Sequence, residues 1–407
     1  PISGKTFSYV YDVLDRATKI SLNGATAKPM ATYIYNGPSA RVAQRDRGID
    51  LNAGTPNTFR TIYAEDPIYR TTGITHQRIT GSTTDIRKFD YTWGDGSSGR
   101  LYQQSQMNNS GYSNVTNAYQ YDKLGRLTHH DQGTTDYDFT QTETQFWQSR
   151  DIDGDSDIYF WKAGDGSLQV PCWYPSARGF TYDDFGNMVT EQGVLSCYYD
   201  PLNRMAYIDG TSDYRFRYDA LGRRVAEKKD GNESFFYYDG MHIVEETDSS
   251  LSLSRLSLFG IKLDEILYSG TVSGGSLANH RWPLTDILGT VHQVVDDSAT
   301  TQTSFTYLAY GETTRTGNES YPYGFTGRRY IETEGIYDYR TRFYWPKLGR
   351  FLQRDSIGIW GDGRNLGNGY AYVENDPVGL VDPNGTKVKV DNDKQFYLGL
   401  RMIASQC

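Results

Sequence analysis

The sequence predicts an all-β chain built of repeated hairpins, and three observations carry that reading. A Tyr-Asp turn motif recurs along the 407 residues, and its last three copies start at Tyr199, Tyr218 and Tyr238, in steps of 19 and 20. A fixed step of this length marks a structural repeat. In five copies the residue three places after the Asp is Gly, Asn or Asp, the types that tolerate a left-handed backbone. No helical periodicity lasts beyond a turn or two.

Each copy reads as one hairpin. The best are Tyr121-Asp122-Lys123-Leu124-Gly125-Arg126, Tyr182-Asp183-Asp184-Phe185-Gly186-Asn187, Tyr199-Asp200-Pro201-Leu202-Asn203-Arg204 and Tyr218-Asp219-Ala220-Leu221-Gly222-Arg223, with Tyr11-Asp12-Val13-Leu14-Asp15-Arg16 before them. Asp opens a turn because its carboxylate caps the backbone N–H groups that follow. A type I turn plus one left-handed residue then closes a hairpin. The flanks alternate, as in Tyr214-Arg215-Phe216-Arg217-Tyr218, which reads as strand. One repeat is thus two strands of about eight residues, each about 25 Å long. Stacking the hairpins brings Tyr against Tyr across strands, worth about 0.2–1 kcal/mol per pair. A lone hairpin is marginal, so the array must be continuous. Weaker copies lie around Tyr33 to Gly37 and Tyr91 to Gly96, and residues 134–180 break the period and read as an insertion.

Composition fits a thin wall. Tyr outnumbers Phe 34 to 17 in a chain that is only 37% hydrophobic, and Tyr packs its ring while wetting its hydroxyl. The net charge of −9 argues against nucleic acid or an anionic membrane as partner. Lys228-Lys229 and Arg328-Arg329 read as solvated strand faces. No run approaches the ~18 apolar residues that a membrane span requires. The chain begins at Pro1 with no Met and no apolar leader, so it reads as a piece of a longer product. Cys172, Cys197 and Cys407 are too few for a disulfide scaffold, and a Cys172–Cys197 bridge and free buried thiols both remain open.

The YDxxGR motif at this step resembles the YD repeats of the RHS family, which includes the C component of insecticidal ABC toxins, bacterial polymorphic toxins and the teneurins. It covers residues 1–245. Residues 246–386 resemble the RHS repeat-associated core, and 387–407 form a tail. Seven core motifs occur in order: Asp286-Ile287-Leu288-Gly289-Thr290, Tyr307-Leu308-Ala309-Tyr310-Gly311-Glu312, Phe325-Thr326-Gly327-Arg328-Arg329-Tyr330, Gly335-Ile336-Tyr337-Asp338-Tyr339-Arg340-Thr341-Arg342-Phe343-Tyr344, Leu348-Gly349-Arg350-Phe351, Tyr370-Ala371-Tyr372-Val373-Glu374-Asn375-Asp376-Pro377 and Val381-Asp382-Pro383-Asn384-Gly385. The resemblance implies a β-hairpin array that spirals into a hollow shell, here part of one, closed by the core segment as a plug. It implies a secreted or surface-exported product that encapsulates its own C-terminal polypeptide or a downstream toxin, with a second shell or delivery component as partner.

The resemblance also implies single-turnover self-cleavage after Thr386, with Asp355 and Asp382 as the paired carboxylates, Arg350 in support and Asp376 as a spare carboxylate. Two close carboxyls share a proton, so one activates water while the other protonates the leaving amine. The sequence departs from the family pattern at Ser356, where Pro is usual, at Thr386, where Leu is usual, and in the 23 residues of 359–381 between the motifs. Turn capping by the same Asp residues is the structural alternative. Asp151, Asp153, Asp155 and Asp157, spaced by two, form a candidate calcium loop. Lys162 stands where an EF-hand has Glu, which leaves a solvated acidic turn as the alternative, and no other cofactor is expected. His129-His130 reads as two faces of one strand. The rival function is a non-catalytic adhesion or carbohydrate-binding surface protein, which predicts an uncut chain and Trp93, Trp147, Trp161 and Trp173 exposed outward. A protease acting in trans has no cleft in the sequence to support it.

Overall fold

The structure is a computed structural model that describes residues 4–23, 28–48, 51, 58–94, 100–108, 115–142, 147–162, 170–174, 180–273, 276–356, 368–386 and 389–390. It is all-β. Fourteen strands from Thr6–Tyr11 to Val170–Tyr174 form one antiparallel sheet, and fourteen from Phe180–Tyr182 to Thr313–Gly317 form a second. In both, spatial order equals chain order, and neither closes into a barrel. The stretch 134–180 supplies Thr135–Gln141, Trp147–Ile152, Asp155–Lys162 and Val170–Tyr174, which pair in series. It breaks the repeat period but not the sheet. The second sheet runs without interruption through position 245.

The turns explain the repeat. In nine of them among the described residues, one Asp carboxylate oxygen accepts the N–H groups two and four residues on, at 2.8–3.0 Å. The residue between those two N–H groups is left-handed, as at Gly222 (φ 79°) and Asn203 (φ 65°). The motif Arg closes the turn by pairing with the other carboxylate oxygen, as Arg223 does with Asp219 at 2.8 Å. It then reaches the next hairpin. Arg204 donates to the Asp219 carbonyl and lies 4.7 Å over the Tyr218 ring, and Arg223 reaches the Gly240 carbonyl and the Tyr238 ring in the same way. The motif Tyr bonds backwards: the Tyr199, Tyr218 and Tyr238 hydroxyls donate to the carbonyls of Met188, Met205 and Arg224 at 2.7–2.8 Å. Tyr therefore joins successive turns through its hydroxyl more than through the Tyr–Tyr stacking expected, although Tyr198 and Tyr207 do stack at 5.3 Å.

The strip overlies its own end. Phe59 of the first sheet stacks on Trp282 of the second at 5.2 Å. Arg47 donates to the carbonyls of Leu267 and Pro283, and His76 contacts the Thr285 carbonyl at 2.9 Å. The same inner strands carry Phe259, Val291 and Phe305 in a separate apolar cluster with Tyr323, Phe325 and Tyr337 of the segment that follows. Covered on both sides, Val291–Val295 is buried at every position. A third cluster packs Phe343 and Trp345 of that segment against Phe139 of the first sheet and Phe216 of the second. The wall is thus a scroll wound around an aromatic plug.

Two substitutions test the turn. Gly222 has open space around its Cα, so Gly222→Ala meets backbone strain alone and should cost about 1–2 kcal/mol. Tyr218→Phe removes one buried hydroxyl bond and should cost about 1 kcal/mol, both read by denaturant unfolding.

Candidate functional site

The plug builds a small sheet from Arg329–Ile331, Ile336–Asp338, Phe343–Trp345 and Arg350–Phe351. The tight turn between its second and third strands places Arg342 inward, with Arg340 left-handed (φ 72°) and the Tyr339 N–H bonded to the Arg342 carbonyl at 2.9 Å. Asp355 follows the fourth strand and is held by its N–H on the Gly369 carbonyl at 2.9 Å. Asp382 follows the short strand Leu380–Val381.

These three side chains meet. One Arg342 nitrogen lies 3.0 Å from Asp355 and 3.3 Å from Asp382, and none of the three side chains is more than 4% exposed. The carboxylate oxygens are therefore no further apart than those two contacts laid end to end. Arg342 also donates to the carbonyls of Gly369, at 3.0 Å, and Gly385, and covers the Phe351 ring at 3.7 Å. The chain on the far side of Asp382 is fixed as well. The Thr386 N–H donates to Asp382 at 3.0 Å, and the Thr341 hydroxyl donates to the carbonyls of Asn384 and Gly385. Gly385 is left-handed (φ 70°), and a Cβ there would lie 2.6 Å from the Tyr339 carbonyl oxygen, so only glycine fits.

The structure brings Asp355, Asp382 and Thr386 together and puts Arg342 at their centre. Arg350 is buried nearby, with its guanidinium 4.2 Å over the Tyr370 ring and its backbone bridged to Ala371. Asp376 binds Arg100 of the wall. Arg328 and Arg329, expected on a solvated face, are instead enclosed between wall and plug: Arg329 forks Glu246 at 3.1 and 3.0 Å, and Arg328 pairs with Asp264 at 2.8 Å.

The acidic segment at 151–157 is a hairpin tip. Asp153 (φ 51°) and Gly154 (φ 87°) are both left-handed, the signature of a two-residue type I′ turn. The Asp151 carboxylate accepts the Gly154 N–H and that of Asp153 accepts the Asp136 N–H, both at 2.8 Å. The Asp155 and Asp157 side chains lie outside the described residues, and among the described residues no three His, Cys, Asp or Glu side chains are grouped to hold a metal. Trp147 is buried against Phe139 and Tyr310, and Trp93 is half-buried with its indole N–H on the Thr71 carbonyl. The Trp161 and Trp173 side chains are outside the description. Cys197 is a free buried thiol, while the Cys172 side chain and Cys407 are not described.

A wound antiparallel repeat wall, sealed by an aromatic segment of this order, defines an RHS shell. In sequence the chain is similar to RHS-type polymorphic toxins, and in fold it is similar to the RHS shell of Tc toxins. No family model matches it. It is 28% identical over 219 residues to the tRNA3(Ser)-specific nuclease WapA of Bacillus spizizenii, covering 51% of this chain and 9% of WapA. It is 27% identical over 242 residues to double-stranded DNA deaminase toxin A of Burkholderia cenocepacia, covering 51% and 17%. With toxin protein Tse5 of Pseudomonas aeruginosa the figures are 28% over 249 residues, 51% and 18%. The chain thus spans less than a fifth of the length of these relatives. Among solved structures it resembles the TcdB2-TccC3-Cdc42 complex with a TM-score of 0.51 at 13% identity, over 94% of this chain and 26% of that one, a likeness of fold.

Arg342→Met should destabilise the chain by about 3–5 kcal/mol in denaturant unfolding, because it removes the guanidinium that bridges two buried carboxylates. Asp376 has a distinct pH signature. Burial pushes its carboxyl up to about 6 against the pull of Arg100. A raised carboxyl binds protons better folded than unfolded, so its contribution is present below about pH 4 and lost as pH rises through about 6. Unfolding measured from pH 4 to 6 should show wild type losing stability relative to Asp376→Asn.

Proposed function

We propose that this chain is the closing end of a shell that encapsulates a polypeptide joined to its C-terminal side, and that the shell severs that polypeptide once, after Thr386. The observation that supports this best is the single guanidinium of Arg342 holding Asp355 and Asp382 together beside residues 382–386, inside the plug. Arg342 sets the distance between the carboxyls. One of them takes a proton from water as the water oxygen bonds to the Thr386 carbonyl carbon. The other delivers a proton to the Lys387 nitrogen as the C–N bond breaks. The products are a Thr386 carboxylate and a new amino terminus, with atoms and charge conserved. Enclosure among aromatic rings restricts water to what the reaction uses.

The names of the relatives, a nuclease, a deaminase toxin and a toxin protein, support toxin-type cargo. The likeness to a TcdB2-TccC3 assembly supports a delivery component or a second shell as partner. Export from the producing cell follows from that use, and among the described residues no helix is long and apolar enough to cross a membrane. The adhesion reading loses support from the inward packing of Trp147 and Trp93.

The test is the intact mass of the expressed full-length gene product. The expected outcome is two polypeptides divided after Thr386, with Asp355→Asn and Asp382→Asn each leaving one. A wild-type product in one piece contradicts the cleavage reading.

A further inference from the structure

We propose that Asp264, on the wall, is a positioning residue for scission at Thr386, and that through its neighbour Glu265 it makes scission conditional on the outer turn of the scroll lying over the inner one. The inference rests on the cleavage reading above and adds what licenses the cut.

Asp264 sits on the loop 260–265 that joins Leu253–Phe259 to Ile266–Ser273. Its backbone is left-handed (φ 58°), and its N–H points at the His242 ring at 3.4 Å, which in turn stacks on Phe259. Its carboxylate grips two plug arginines, Arg328 at 2.8 Å and Arg340 at 2.5 and 3.2 Å. Burial alone would raise this carboxyl, but the two guanidiniums outweigh it and bring it down to about 2. Both arginines then donate to one acceptor, the Pro383 carbonyl, Arg328 at 3.3 Å. That carbonyl belongs to the residue after Asp382, three before Thr386. A wall carboxylate therefore fixes the segment to be cut, through the guanidiniums of Arg328 and Arg340. Gly327 keeps this approach close, since a Cβ there would lie 2.5 Å from the Asp264 carbonyl oxygen.

The next residue faces the other way. The Glu265 carboxylate pairs with Arg45 of the outer strand Val42–Arg47, and Arg45 is 1% exposed. Glu265 also accepts the Lys262 N–H at 3.2 Å, which closes the loop on itself. Gly260 lets the Glu265 carboxylate fold in, as a Cβ there would sit 2.0 Å from it. The six-residue loop is thus held by the outer wall on one side and holds the scissile segment on the other. A chain whose outer turn has not yet closed lacks Arg45 on Glu265, and the Pro383 clamp is then loose. This order would keep cargo attached until the wall is wound.

The experiment follows cleavage over time after synthesis of the full-length gene product, by intact mass, alongside thermal unfolding. Displacing the segment should slow scission on the order of 10²-fold in Asp264→Asn, since small misplacements cost that much. Asp264→Glu should recover part of the rate. Arg45→Met, at a side chain bonded to Glu265 and Thr61 of the wall, should slow scission in the same direction while the melting profile keeps a single folded transition. Hydrogen exchange at the amides of 384–386 should rise in both slowed variants. Cleavage of Asp264→Asn and Arg45→Met at the wild-type rate overturns this inference and leaves the cleavage reading intact. A wild-type chain that is never cut defeats the cleavage reading itself and this inference with it.

Discussion

A single carboxylate oxygen accepting two backbone N–H groups, two and four residues on, is the interaction on which this wall depends. It sets the turn, and the turn sets the register of both strands. Two charge-assisted bonds of this kind contribute about 1.5–3 kcal/mol each, against about 1–2 kcal/mol for one left-handed non-glycine residue. The cap wins, so Tyr69, Leu251 and Ala299 occupy the left-handed position as Asn203 and Gly222 do. With the carboxylate's second oxygen on Arg and that Arg on the next hairpin, each turn also fixes the spacing of its neighbour.

That balance decides what was legible in the sequence. Turns with Gly125, Gly186, Asn203 or Gly222 announce themselves, because residue type alone reveals the left-handed site. Turns opened by Asp66, Asp248 and Asp296 do not, because a bulky residue is forced into place by the cap. The stretch 134–180 reads as an insertion since its connections differ in length. Strand pairing tolerates such variation provided that the alternation of faces is kept, as Tyr137, Phe139 and Trp147 keep it. Overlap of the two sheets was hidden for another reason. It joins residues more than two hundred positions apart, such as Arg47 and Leu267, and local pattern carries no trace of such contacts.

The site was half visible. Asp355, Asp382 and Thr386 follow from family motifs, and the structure gathers them. Arg350, expected in a supporting role, lies over the Tyr370 ring, and the guanidinium that bridges the two carboxylates is that of Arg342. Arg342 lies in a run crowded with aromatics and beside a second arginine, and only the turn geometry shows which of the two points at the carboxylates. Likewise Arg328-Arg329 looks like a surface pair until Asp264 and Glu246 are seen to reach it from the wall. Several buried ion pairs join wall and plug, where a lone ion is costly and a matched one sets the register of the two parts.

The most direct measurement is amide hydrogen exchange resolved along the turns. Leu124, Leu202 and Leu221 stand at exposed tips, with 60%, 72% and 78% of their surface open to water. Their N–H groups nonetheless point at Asp122, Asp200 and Asp219. The account predicts slow exchange at these amides and at those of Arg126, Arg204 and Arg223, in step with the flanking strands. Exchange at the rate of an unstructured loop would contradict it.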